Sequence, residues 1–414
     1  MQFPCSSLAL WRLAACFVVL FGQARPLSAQ VEGGPKPPFE LLHLWTSPIE
    51  QPALEVLKQA ILKAGLSWSE QRVTGNFYGV RRELAARMAI NVNPSAVFWI
   101  GALDPKSGES HTVFRRIDQN HGAGALLSVT RPEILSEVSS PEGMDAIPLV
   151  IHLQNVTVRN AKVFEASGIA PPKSWAEFLE MAPRLKAAGV TPIAVSGQRW
   201  LIRFLYLSIL ADGIQPDEFK DFLVAALPRH RFLEIAKRSF FILRGLKPFA
   251  NSDYASVGWD EVLHKVIVGE AAETITGDFS GPVLTGPEVV CAAPPGNNFV
   301  MWSFDVIAFP VGANRQVQDT AMQSLATRDV LARFGTAKGG IPVVSDIARS
   351  ELAPCARNSL DRWLTQKKIL LSSEKWLRSL NIISSLAQLV WTSEEVDLDK
   401  VASRLFVELS SGAE

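Results

Sequence analysis

The sequence predicts an α/β fold in two lobes, and three observations carry that prediction. Short apolar segments alternate with amphipathic helical segments in two separate stretches, one before residue 100 and one after residue 150. At 414 residues the chain is too long for one small domain. Hydrophobic residues make up 48% and charged residues 20%, enough to fill a real core.

The first stretch opens with the apolar strand Phe39–Trp45. A helix over 48–64 follows, with Leu54, Leu57, Ala60 and Ile61 at helical spacing and Gly65 as its stop. Arg72–Val73 is expected as a second strand, Gly79–Ile90 as a helix, and Ser95–Ile100 as a buried strand after Pro94. A short extended segment, Ile147–His152, lies between the two stretches and has the form of a crossover. Beyond it, Trp175–Ala188 reads as a helix capped by Ser174 and ended by Gly189. The series continues with strand Pro192–Val195, buried helix Trp200–Ala211, helix Asp260–Val268, strand Ala271–Thr276 and C-terminal helix Leu398–Leu409.

The N-terminus has a different character. Arg12 precedes a ten-residue apolar run over 13–22, and Pro-Leu-Ser-Ala follows at 26–29. This is the form of a secretory signal peptide and is too short for an ordinary membrane span. Cleavage is expected after Ala29, with Ala24 as the alternative, leaving 30–37 as a flexible leader. Cys16 closes a lipoprotein-like box, Leu13-Ala14-Ala15-Cys16, but half of the apolar run follows it. Export then leaves two cysteines, Cys291 and Cys355. Two cysteines in an exported chain favour one disulfide, with separate buried thiols as the alternative.

Composition and motifs limit the function classes. Lys plus Arg equals Asp plus Glu at 41 each, so nothing points to nucleic acid or an acidic membrane as partner. His43, His111, His121, His152, His230 and His264 are scattered and form no HExxH. No GxSxG, P-loop or GxGxxG before a helix is present, and no Cys/His spacing fits zinc. No catalytic residue, metal or cofactor is therefore expected; the alternative is a glycoside-acting enzyme whose paired carboxylates meet only in the fold.

Dispersed segments then resemble the periplasmic solute-binding proteins of sugar ABC importers, extracellular solute-binding family 1, in the glucose/mannose-type branch. They are His43-Leu44-Trp45-Thr46-Ser47, Asn93-Pro94, Ile147–His152 and Pro172-Lys173-Ser174-Trp175-Ala176-Glu177-Phe178. Gly197-Gln198-Arg199-Trp200, Gly277-Asp278-Phe279 and Lys338-Gly339-Gly340-Ile341-Pro342 continue the family order. Cys291 and Cys355 stand where that branch has a cysteine pair. The resemblance implies a type II, Venus-flytrap fold of mixed sheets, covering helices and crossover hinge segments. By analogy the N-terminal lobe holds 38–146 plus 293–342, and the C-terminal lobe 147–292 plus 343–414. It also implies a periplasmic monomer that hands a sugar-like ligand to a permease in the inner membrane; the alternative is a sensory binding protein that presents its ligand to a membrane receptor.

Sugar recognition needs flat apolar faces for the ring and fixed polar groups for the hydroxyls. The candidates are Trp45, Trp99, His152, Gln198, Trp200, Asp278, Phe279, Asp305 and Lys338. Gln198 and Trp200 pair an amide with a ring after a strand and at a helix start. Asp305 stands out inside the apolar strand Met301–Phe309. The family's Asp there aligns on Phe304 unless a bulge intervenes. Glu50 reads as a helix-opening carboxylate. Trp99 replaces an amide of the family, and Leu44 replaces a Trp. Fewer hydrogen-bonding groups and more aromatic area point to a ligand less polar than a plain hexose.

Overall fold

The computed structural model describes residues 37–74, 77–103, 113–140, 143–284 and 286–411. The expected signal peptide and nearly all of the leader lie outside the described residues. Among the described residues two larger sheets carry the chain, beside a two-stranded pair of Ser139–Ser140 with Gly143–Met144. The larger runs in the order Ile341–Pro342, Ile147–Leu153, Phe299–Pro310, Ala96–Ile100, Pro38–His43, Ser67–Arg72. Its last three strands are mutually parallel, while Phe299–Pro310 is antiparallel to both of its neighbours. The smaller sheet runs Val289–Ala292, Val156–Asn160, Ala271–Thr276, Thr191–Ile193. All twelve residues of Phe299–Pro310 are buried, as expected of a strand covered on both faces.

The chain passes between the sheets twice over short distances, from Leu153 to Val156 and from Ala292 to Phe299. Asn155 fixes this crossing. Its amide donates to the Phe299 carbonyl at 2.9 Å, and its carbonyl oxygen accepts from Met301 N at 3.0 Å. The crossover strand Ile147–Leu153, read from sequence as the head of the second lobe, hydrogen-bonds within the larger sheet. Lys367–Leu370 also joins that sheet, against Phe299–Trp302.

Two apolar clusters fill the interior. One lies around the larger sheet and includes Trp45, Phe98, Ile151, Phe304 and Phe334. The other is built mainly from helices and includes Trp175, Phe178, Tyr206, Phe232, Phe240 and Trp391. Helix Trp175–Ala187 begins where expected, with Ser174 accepting from Glu177 N at 3.1 Å. Strand Ala271–Thr276 has the expected limits, and helices Arg199–Leu210, Trp259–Ile267 and Leu398–Ser410 are within a residue of theirs. The second strand is a correction: it covers Ser67–Arg72 instead of Arg72–Val73. It carries polar residues on both faces because it is the edge of its sheet, so no apolar run marks it.

Cys291 and Cys355 form a disulfide with Cα atoms 5.2 Å apart, tying strand Val289–Ala292 to helix Pro354–Thr365. Among the described residues no helix is long and apolar enough to cross a membrane. Among the same residues no group of three or more His, Cys, Asp or Glu is placed to hold a metal.

Candidate functional site

The parallel strands of both sheets end at the same feature. After Pro38–His43 come Trp45, Ser47 and Glu50; after Ser67–Arg72 come Phe77 and Tyr78. After Thr191–Ile193 come Gln198 and Trp200; after Ala271–Thr276 come Asp278 and Phe279. Carboxyl ends of parallel strands are where open α/β sheets leave a crevice for ligands.

Half-buried rings line this feature. Phe279 lies 5.9 Å from Trp200, 5.3 Å from Trp259 and 5.7 Å from His152. Trp200 also meets Phe204 edge-on at 5.4 Å. Phe279 sits on a short 3-10 turn, Asp278–Val283, packed against the end of helix Arg328–Lys338. Gly339 has φ +84° there, and an added Cβ would meet Pro282 Cδ at 2.3 Å. Only glycine lets the two segments come this close.

Lys338 connects the rings to the first sheet. Its ammonium pairs with the Glu50 carboxylate and lies 5.7 Å from the Trp45 ring and 5.9 Å from Phe279. Both partners are largely buried, at 5% and 11% side-chain exposure. Glu50 has a second role as well, closing a capping box with Ser47. The Ser47 hydroxyl in turn donates to Asp260 Oδ2 at 3.1 Å, at the start of helix Trp259–Ile267.

Behind the rings lies a buried charge cluster. His152 Nδ1 donates to Asp278 Oδ1 at 2.8 Å, and Nε2 stands 3.4 Å from Asp305 Oδ2. The other Asp278 oxygen accepts from Leu153 N at 3.1 Å. Burial alone would lower the His152 pKa, but Asp305 and Asp278 outweigh it and raise it to about 9. His152 is therefore an imidazolium at neutral pH. The bulge considered for this segment is present, with the register shifting between Asp305 and Val306. Asp305 pairs with Val150, two residues before His152, so the regular alternation of both strands puts it on the face of His152, and the shift lies just beyond it.

The sequence candidates thus fall into three groups. Trp200, Phe279 and Lys338 come together with the exposed Gln198 nearby at the helix start. His152, Asp278 and Asp305 meet one another, and Asp278, 1% exposed, has both oxygens engaged within the protein. Trp45 and Trp99 are core residues here. Trp45 is 1% exposed against Phe98 and Phe334, and Trp99 packs between Phe77 and Phe114. Sequence reasoning missed Trp259 and took Glu50 as a cap alone. Trp259 begins a helix just after Gly258, and only that position gave a signal.

Two sheets joined by short crossings, with an aromatic-lined feature at their strand ends, define a two-lobed binding protein. A family model of the bacterial extracellular solute-binding proteins matches residues 124–330, half of the chain. The chain belongs to that family. It is 27% identical over 364 residues to the "Probable sugar-binding periplasmic protein" of Brucella suis, covering 85% of each chain. It is 24% identical over 335 residues to a protein of the same name in Rhizobium meliloti, covering 78% of this chain and 80% of that one. Among solved structures, a chitin oligosaccharide binding protein superposes with TM-score 0.74 at 18% identity, over 91% of this chain and 99% of that one. The raffinose complex of the binding protein RafE gives 0.71 at 14% identity, over 90% and 99%.

Proposed function

We propose that the chain is the periplasmic receptor of a carbohydrate ABC importer, binding a saccharide between its lobes and delivering it as a monomer to a permease. The observation that carries this is the wall of half-buried rings, Trp200, Phe279 and Trp259, at the carboxyl ends of the strands, with Gln198 and Lys338 beside it. Ring faces take sugar C–H surfaces, and the amide and ammonium take hydroxyls. The names of the relatives point the same way. His152, Asp278 and Asp305 stand behind this wall and hold it in place. The lobes divide in outline as 38–146 with 293–342 and 147–292 with 343–414. Strands Ile147–Leu153 and Lys367–Leu370 go with the first lobe, because they hydrogen-bond in its sheet. The ligand is bound and released without reaction.

A thermal-shift screen against mono- and oligosaccharides, neutral and acidic, tests this. A ligand at about 100 times its Kd stabilises the folded state by about 2.7 kcal/mol, a shift that grows with concentration. Trp200→Ala should abolish that shift; it also removes packing against Phe204 and Phe279, so the shift on adding ligand is read against the variant's own lower melting temperature. A panel in which no saccharide raises the melting temperature would overturn the reading.

A further inference from the structure

The fold supplies partners for its buried and half-buried cations with consistency. Lys338 has Glu50, Arg87 has Glu40 at 2.7 Å, Arg159 has Glu273 at 3.2 Å, and Arg115 has Asp319 at 2.6 Å. Arg131 donates to the Pro342 carbonyl at 3.0 Å, and Arg362 to the Asn155 carbonyl at 2.8 Å. Arg203 departs from this pattern: among the described residues it makes no hydrogen bond or ion pair, whereas Arg244 and Arg362, which also leave one buried nitrogen unpaired, each donate to a carbonyl. Arg203 lies one residue before Phe204 and three after Trp200 on helix Arg199–Leu210, and is half-buried. Its Nε is buried without a hydrogen-bond partner. Among the described residues no carboxylate forms an ion pair with it.

Its direction follows from its neighbours. Helical spacing puts Arg203 between Arg199 and Trp200 around the axis. Arg199 is turned away, donating to the Asn381 carbonyl and to Ser385. Trp200 faces Phe279. The Arg203 guanidinium lies 5.5 Å from the Phe204 ring, and the ionisable groups that act on it are Tyr78 and Arg199. Tyr78 belongs to helix Phe77–Ala89, beyond the edge strand of the larger sheet. Arg203 is thus held beside the aromatic wall and within the field of the opposite sheet's helix.

A desolvated guanidinium without an anion is costly in a folded protein. Burial, the leading influence, lowers its pKa to about 10, so it keeps its charge at neutral pH. No carboxylate is among the groups that act on it, and the acids of the site are committed to other cations, Glu50 to Lys338, and Asp278 and Asp305 to His152. The guanidinium fork matches a carboxylate or a phosphate, each able to accept two parallel hydrogen bonds.

We infer that the ligand of this site is an anionic saccharide whose carboxylate or phosphate pairs with Arg203 while its ring lies on Trp200. This inference rests on the reading of the chain as a saccharide receptor, names the charge class of its ligand, and replaces the less polar ligand expected from the candidate residues alone, a set that did not include Arg203.

Isothermal titration calorimetry on the protein purified from the periplasm tests it with matched pairs. D-Glucose is compared with D-glucuronate and D-glucose 6-phosphate, and D-galactose with D-galacturonate. At least one anion should bind tenfold or more tightly than its neutral parent. Tighter binding of the uronates assigns a carboxylate, and tighter binding of the phosphate assigns a phosphate. Arg203→Gln should erase the preference. Arg203→Lys should recover part of it, since the charge is kept and the fork is lost. Equal affinity for neutral and anionic partners overturns the inference while the receptor reading stands. An anion preference that survives in Arg203→Gln overturns the role of Arg203. If neither variant folds, the wild-type comparison alone decides the charge class. Failure of every sugar, neutral and charged, counts against the receptor reading and takes the inference with it.

Discussion

Asparagine in place of His152 removes the imidazole of the buried cluster while keeping a donor where Nδ1 stood. In the folded protein, Asp278 at 2.8 Å and Asp305 at 3.4 Å raise the His152 pKa to about 9 against the burial that lowers it. In the unfolded chain it returns to the ordinary value of about 6.5. The folded state therefore binds the proton more tightly, and protonation stabilises it. The contribution is fully present below pH 6.5 and is lost as pH rises through 9. A difference of about 2.5 units corresponds to about 3 kcal/mol, with a slope that cannot exceed about 1.4 kcal/mol per pH unit. His152 is 5% exposed, so little solvent screening reduces this figure. Urea unfolding followed by tryptophan fluorescence from pH 6 to 9.5 measures it, as the difference between wild type and His152→Asn. Stopping at 9.5 limits the titration of Arg362, whose pKa burial lowers to about 10 against the attraction of Asp278, and of Arg203, lowered by burial to about the same value. Exposed groups are common to both proteins and cancel. The wild type should lose about 3 kcal/mol more than the variant over this range. Parallel pH profiles, or a wild type that gains stability as pH rises, would falsify the cluster as drawn.

Three further outcomes follow from other parts of the fold. His43 is fully buried, and its Nδ1 accepts from Trp45 N at 3.2 Å; burial, helped by Arg72 and opposed by Glu70, lowers its pKa to about 4. Its sign is opposite to that of His152. Stability present above pH 6.5 is lost as pH falls toward 4, by about 3 kcal/mol, and His43→Asn should flatten that part of the acid-unfolding curve. The Cys291–Cys355 bridge spans 64 residues, so Cys291→Ser with Cys355→Ser should cost about 4 kcal/mol in the chain-entropy model; a loss under about 1 kcal/mol in guanidinium unfolding would show that the reduced chain is already constrained. At Gly340 an added Cβ would meet the Ile151 carbonyl at 2.4 Å and His152 Nδ1 at 2.7 Å, whereas at Gly124 it would meet nothing within 4 Å. Gly340→Ala should destabilise by about 1–3 kcal/mol and Gly124→Ala by much less; equal effects by thermal unfolding would contradict the close approach.

Local signals reached the sequence reading and non-local ones did not. Strand Ala271–Thr276 and the Ser174 cap are visible because apolar runs, caps and glycine stops lie within a few residues of the feature they mark. Helix Arg229–Leu246 and helix Glu374–Thr392, the two longest among the described residues, went unread although their apolar faces recur at helical spacing. The edge strand Ser67–Arg72 was misplaced, since its fold depends on pairing with Pro38–His43 and not on its own pattern. At the site, Glu50 and Lys338 are 288 positions apart and His152 and Asp278 are 126 apart. Each residue alone has an ordinary local explanation. Only the tertiary fold brings the pairs together.

The same polar chemistry takes two roles in this protein, and hydrogen-bond capacity separates them. Asp278 looked suited to sugar hydroxyls from its place after a strand, yet its oxygens are used by His152 and Leu153 N, and it is 1% exposed. Opening it to a ligand would uncouple a buried imidazolium, a loss of the kind that costs about 3–5 kcal/mol. Arg203 drew no notice in an apolar helix, yet its Nε is buried without a partner and, among the described residues, no carbonyl or carboxylate takes its other nitrogens. A group whose capacity is spent inside the protein shapes the site. A charged group whose capacity is unspent beside a ring wall has a place for an atom from outside. On this ground Asp278→Asn should act chiefly on stability and its pH dependence, and Arg203→Gln chiefly on ligand affinity. If the two variants exchanged these effects, Asp278 would be the ligand contact and Arg203 the scaffold.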